Sequence, residues 1–223
     1  MTSSVSEQAE EQTHGVVATR IRALELWVAL ALIVVWFALL TKFGAGDIYA
    51  VLGPYACVVA IVCYALRPRE LRAALAVNLR SVLYGVGAGL VMTFLTYPAF
   101  RLAVQLVPQL DEQVQSLYTG AYSTTVPKAL AWLTALVLAE EMLFRGLLPS
   151  ALRERTGQRN AYVVALIAYT LAQLGSGSWI VALLAFGCGA VWTLLKAQSG
   201  SLLAPLIAHA IWTPTLILLY PVT

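Results

Sequence analysis

The chain is 223 residues long, 60% hydrophobic and only 11% charged, against roughly 25% charged in an ordinary soluble domain, which excludes a water-soluble globule. Its formal charge of +3 is spread in short clusters between apolar runs rather than gathered on one face, so no nucleic-acid partner is expected. What remains is an all-α fold, a polytopic transmembrane helix bundle of about seven to eight spans with the lipid bilayer as its surroundings.

Residues 1–20 are polar and acidic, with Glu7, Glu10 and Glu11, the composition of a disordered tail. Residues 21–223 are the transmembrane helical domain. The first apolar run, 21–43, is too long for a signal-peptide core and has no small-residue cleavage site behind it, so it stays as a span. A turn over Gly44-Ala45-Gly46-Asp47 leads to a second span at 48–66. Then comes a basic connector with Arg67, Arg69, Arg72 and Arg80, in which Pro68 stops any helix from continuing. The third span, 81–107, carries Gly85, Gly87 and Gly89, a small-residue face that lets a neighbouring helix approach closely.

An acidic connector with Asp111 and Glu112 precedes the fourth span, 126–152, and a second basic cluster of Arg153, Arg155 and Arg159 follows it. Spans at 160–174, 179–195 and 201–220 complete the chain. Cys57, Cys63 and Cys188 fall inside spans without metal-ligand spacing and read as small core residues. With both basic connectors and Lys196 on one side, every alternate connector agrees; the positive-inside rule makes that side, and the amino terminus, cytoplasmic.

The fourth span is the unusual one. It reads ALAWLTALVLAEEMLFRGLLPSAL over 129–152, with Glu140, Glu141 and Arg145 near the middle of the bilayer. A charge at a helix centre costs on the order of 3 kcal/mol, so these groups must face the interior and find partners or perform a function. Glu141 and Arg145 are four apart, acid before base, and form the structural ion pair. Glu140 points about 100° away round the helix and is left without a cation. A carboxylate in that position is a stronger base than one in water, as a general base acting on water must be; the alternative is that both acids merely lock helices together.

His209, one of two histidines in the chain, lies roughly 12 Å into the last span, and Glu140 about 21 Å from the opposite end of its own, so the two can meet at mid-bilayer. Taken alone, a histidine in an apolar helix is more often a satisfied core residue than a site group.

The sequence Glu140-Glu141-Met142-Leu143-Phe144-Arg145-Gly146, followed by a late intramembrane histidine, resembles the CPBP family of CAAX-processing and bacteriocin-processing proteases. In that family the first glutamate activates water and the arginine pairs within its own helix. Two later elements, F-x-x-x-H and H-x-x-x-N or H-x-x-x-D, supply the remaining site groups. The resemblance implies that Glu140 is the base and that His209 opens the third element. Two positions depart from the pattern: Tyr169-Thr170-Leu171-Ala172-Gln173 ends in glutamine, and His209-Ala210-Ile211-Trp212-Thr213 ends in threonine. Glutamine is a poor zinc ligand, so no cofactor is expected, and a zinc ion held by Glu140, His209 and Gln173 would be bound weakly. The amide of Gln173 and the hydroxyl of Thr213 can instead stabilise an oxyanion, which makes Glu140, His209, Gln173 and Thr213 the catalytic set.

The function expected is that of an intramembrane endopeptidase. Its partner would be a membrane-embedded or lipidated peptide or protein, or one carrying a sorting signal, in the inner membrane of a prokaryote. The alternative is an inactive relative that binds another membrane protein in immunity or assembly. A transporter is disfavoured because only one span is charged, whereas transporters show paired interrupted helices.

Overall fold

The computed structural model describes residues 2–43, 48–122 and 124–222. Among them there is no strand: the chain is a bundle of α-helices. The first helix, α1, is Thr2–Phe43, and only its Ile21–Phe43 portion is apolar enough to span a membrane. The compositional boundary at residue 20 therefore falls inside a helix. The turn assigned to Gly44-Ala45-Gly46-Asp47 lies outside the described residues.

After a π-helical turn, Ile48–Leu52, α2 runs Gly53–Leu66. Pro68 ends it as anticipated, and α3 (Pro68–Ala74) leaves at 106°. Helix α4 (Leu79–Leu106) is capped by Asn78, whose Oδ1 accepts the Ser81 N–H at 2.8 Å, as a short polar side chain does at a helix start. The acidic connector is itself helical, α5 (Gln109–Ala121). Then come α6 (Val126–Glu140), a π-helical segment Glu141–Leu147, α7 (Leu148–Thr156), α8 (Gln158–Gln173), α9 (Trp179–Ser199) and α10 (Leu203–Pro214).

Three described helices are long and apolar enough to cross a bilayer, or four if the bent α2–α3 pair counts as one, so the expected seven to eight spans are not reproduced. The reason is physical. Helix α8 has 16 residues and the apolar stretch Leu203–Leu219 is also short, below the roughly 20 residues that a membrane crossing requires. The α6–α7 stretch is long enough but carries its charges at mid-length.

Burial is inverted relative to a soluble protein. Trp27, Phe94 and Leu83 are exposed, whereas Glu25, Glu140, Glu141 and Arg145 are buried, which is the distribution a lipid environment selects. Arg67 grips Glu25 through Nε at 2.9 Å and through a second nitrogen, and Arg22 pairs with Glu154. The Leu202 N–H and the Ser201 hydroxyl both donate to the Ala74 carbonyl, at 2.8 and 2.9 Å. These ties gather the segments carrying Arg67, Arg153, Arg159 and Lys196 at one end of the bundle. At the other end the Tyr97 hydroxyl donates to the Tyr220 carbonyl and the Val222 N–H donates to the Tyr118 hydroxyl.

The small-residue face of α4 does what its sequence suggests. A Cβ on Gly85 would lie 2.7 Å from the Ala204 carbonyl oxygen, and one on Gly89 would lie 3.0 Å from the Ile211 Cβ, while Gly87 faces open space. Backbones of α4 and α10 therefore touch. Trp212 Nε1 donates to the Thr96 hydroxyl across the same seam at 2.9 Å. That seam fixes α10, and with it His209.

Candidate active site

The two glutamates stand where α6 gives way to the π-helical segment. There the Leu148 N–H reaches back five residues to the Leu143 carbonyl, the wider turn that often marks functional sites. Both acids are buried, Glu140 at 8% exposure and Glu141 at 1%. The expectation that they look into separate parts of the interior is only half realised, because one imidazole touches both. His209 Nδ1 lies 2.9 Å from Glu141 Oε1, and its Nε2 lies 3.7 Å from Glu140 Oε2. The tighter of the two contacts is with the second glutamate.

Among the described residues no arginine or lysine forms an ion pair with Glu140. Its Oε2 accepts the Tyr169 hydroxyl at 2.9 Å and its Oε1 accepts the Gln173 side-chain amide at 2.7 Å. The Gln173 donor is thus turned onto the carboxylate. Tyr169 and Gln173 are four apart on α8 and share a face.

The Glu141–Arg145 pair is present, at 3.3 Å. Its acceptor is shared, since the same Oε1 also meets His209, and Glu141 Oε2 is buried with no partner. Arg145 sends its other nitrogen to the Gly189 carbonyl at 3.3 Å and lies over the rings of Tyr169 and Trp192, at 4.4 and 5.3 Å from their centroids, geometry in which an aromatic face stabilises a cation. Glycine at 189 is required for this: a Cβ there would sit 2.9 Å from the guanidinium. Trp192 also stacks on His209, with centroids 3.5 Å apart and planes 19° from parallel. Thr213, one turn beyond His209 on α10, is buried with its hydroxyl unpartnered.

Glu140, Gln173, Glu141, Arg145 and His209 are therefore brought into one polar cluster, and Thr213 lies on the same helix as its histidine. Tyr169, Trp192 and Gly189 belong to the cluster too, and sequence reasoning missed them as site groups. For Tyr169 the signal was its four-residue spacing from Gln173. Trp192 and Gly189, on a helix with no other mark, gave none.

Two buried polar atoms without a partner, Glu141 Oε2 and Thr213 Oγ1, each call for an explanation. Each Glu140 oxygen accepts one hydrogen bond, from Tyr169 or Gln173, the His209 nitrogens face two different carboxylates, and no group of three His, Cys, Asp or Glu among the described residues is placed to hold an ion.

Residues 122–214 match the family model described as type II CAAX prenyl endopeptidase Rce1-like. No curated protein and no solved structure matches the chain. The matched family is one of membrane proteases acting on prenylated CAAX substrates, and the apolar helices place this chain in a membrane. The stretch that builds the buried cluster, from α6 through α10, is thus similar over its whole length to the Rce1-like proteases of the CPBP family.

Proposed function

We propose that this protein is an intramembrane endopeptidase in which Glu140 activates water against a peptide bond of a lipidated, membrane-anchored substrate, prenylated CAAX peptides being the first class to test. The observation that carries this reading is a buried carboxylate held by two neutral donors, with an imidazole nitrogen 3.7 Å away. A water lying beside Glu140 Oε2 and His209 Nε2 can hydrogen-bond to both. Glu140 takes its proton, the hydroxide oxygen bonds to the carbonyl carbon, and the carbonyl π electrons move to oxygen. With its Nδ1–H held by Glu141, His209 in its imidazolium form donates its Nε2–H to that oxyanion. As the oxyanion electrons re-form the carbonyl and the C–N bond breaks, Glu140 returns the proton it took from water to the leaving nitrogen, giving an amine and a carboxylic acid, which ionises, without a covalent intermediate.

Tyr169 and Gln173 act as positioning residues, fixing the plane of the Glu140 carboxylate. The free hydroxyl of Thr213 supports its role as a second oxyanion donor. No metal-dependent step is needed. The basic end of the bundle is the cytoplasmic one in this reading.

The test is the mass of the products released from a farnesylated CAAX peptide in vesicles holding the purified protein. Wild type should shorten the peptide, and His209→Ala should slow this by about 10²–10⁴-fold. Undiminished turnover in His209→Ala contradicts the mechanism. An intact peptide with wild type removes this substrate class.

A further inference from the structure

A second feature lies apart from the carboxylates. Between α7, α8 and α9, at the basic end of the bundle, is a cavity of about 760 Å³, within the range of pockets that hold an organic ligand and far larger than a lone ion needs. Arg145, Arg153, Arg159 and Lys196 all line it, and no acidic residue does. Glu154, the nearest acid in sequence, is turned away to Arg22. Among the described residues neither Arg153 nor Arg159 has a carboxylate partner, and Lys196 reaches only the Gly200 carbonyl, at 3.0 Å, closing its own helix.

Beside the polar side chains of Ser150, Gln158, Tyr162 and Thr193, part of the wall is apolar and faces outward: Val163 and Leu194 are exposed and Leu166 is half-buried. A cationic mouth above an outward-facing apolar wall has the shape of an amphiphile at a membrane interface. Arginines present a planar fork that suits phosphate oxygens, and basic pockets between membrane helices take anionic lipid headgroups.

We propose that this cavity binds the phosphate headgroup of an anionic membrane lipid, with Arg153, Arg159 and Lys196 on the phosphate and the lipid backbone against Val163 and Leu194. The shared chemistry is a phosphate, and the apolar wall favours a lipid over the free ion as its source. Arg145 forms part of the cavity lining while also holding Glu141, so a lipid seated there borders the buried cluster.

The full-length protein in detergent is titrated with phosphatidylglycerol, with phosphatidylcholine or with inorganic phosphate, and bound lipid is counted by native mass spectrometry. Expected are phosphatidylglycerol adducts that fall about tenfold or more in Arg153→Gln/Arg159→Gln and return in Arg153→Lys/Arg159→Lys. Phosphatidylcholine should be retained weakly and equally by all three proteins, and millimolar phosphate should not displace phosphatidylglycerol. Equal retention of the two lipids, or undiminished phosphatidylglycerol in the glutamine variant, overturns the proposal. Displacement by millimolar phosphate overturns the lipid as the source. The two exposed substitutions leave Glu140 and His209 in place, so a failure here is distinguishable from failure of the protease reading.

Discussion

Two glutamate–arginine pairs, one partly buried and one fully buried, differ in completeness. Glu25 and Arg67, 42 residues apart in sequence, meet as a two-pronged fork at the basic end, with each carboxylate oxygen matched to its own nitrogen. Glu141 and Arg145, four apart, meet through a single contact of 3.3 Å on an oxygen that His209 also claims, and the other oxygen has nothing. A satisfied pair is finished as structure. An under-satisfied one is incomplete as structure, and such incompleteness is tolerated where function requires it.

The sharpest way to break this contrast is to remove one acid from the central pair. Glu141→Gln leaves Arg145 buried without a counter-charge and should lower stability by about 3–5 kcal/mol, read as the midpoint of thermal unfolding in detergent. Replacing both, Glu141→Leu with Arg145→Met, should recover most of that stability yet yield no turnover, because His209 loses its anchor. A double variant that cleaves peptide at the wild-type rate would make the central pair no different from the peripheral one.

The next effect is on Thr213. Thr213→Val should reduce kcat by about 10²-fold, the usual loss for an oxyanion donor. It should leave the unfolding temperature unchanged or slightly higher, since the deleted hydroxyl has no partner in the resting protein. A fall in stability with normal kcat would assign the hydroxyl to packing instead. Smallest is Tyr169→Phe, which removes one of the two donors to Glu140. A loss of about tenfold in kcat with KM unchanged is expected, corresponding to about 1.4 kcal/mol of positioning. A change confined to KM would place Tyr169 on the substrate rather than on the base.

The parts of this arrangement that were legible in the sequence are those where a charge stands against its surroundings. Glu140, Glu141 and Arg145 are costly in an apolar run, and His209 lies at a matching depth, so composition and helix rise were enough to bring them together. The glycines of α4 were legible in part: Gly85 and Gly89 meet α10 as their small size suggests, whereas Gly87 faces open space.

Other features left no local trace. The Glu25–Arg67 fork depends on the path of the chain between them. Trp192 looks like ordinary apolar filler until Arg145 lies over its ring. The π-helical turn that brings both acids inward has no composition of its own. The number of spans is not confirmed by the described helices, because α8 is short and α2 bends sharply into α3.

The most direct measurement sets the two regions side by side: turnover of a farnesylated CAAX peptide by Glu140→Gln and by Glu25→Gln, each in vesicles and each normalised to folded protein. The account predicts a loss of about 10²–10⁴-fold for Glu140→Gln and, for Glu25→Gln, a lowered unfolding temperature with wild-type turnover per folded molecule. Wild-type turnover by Glu140→Gln would contradict it.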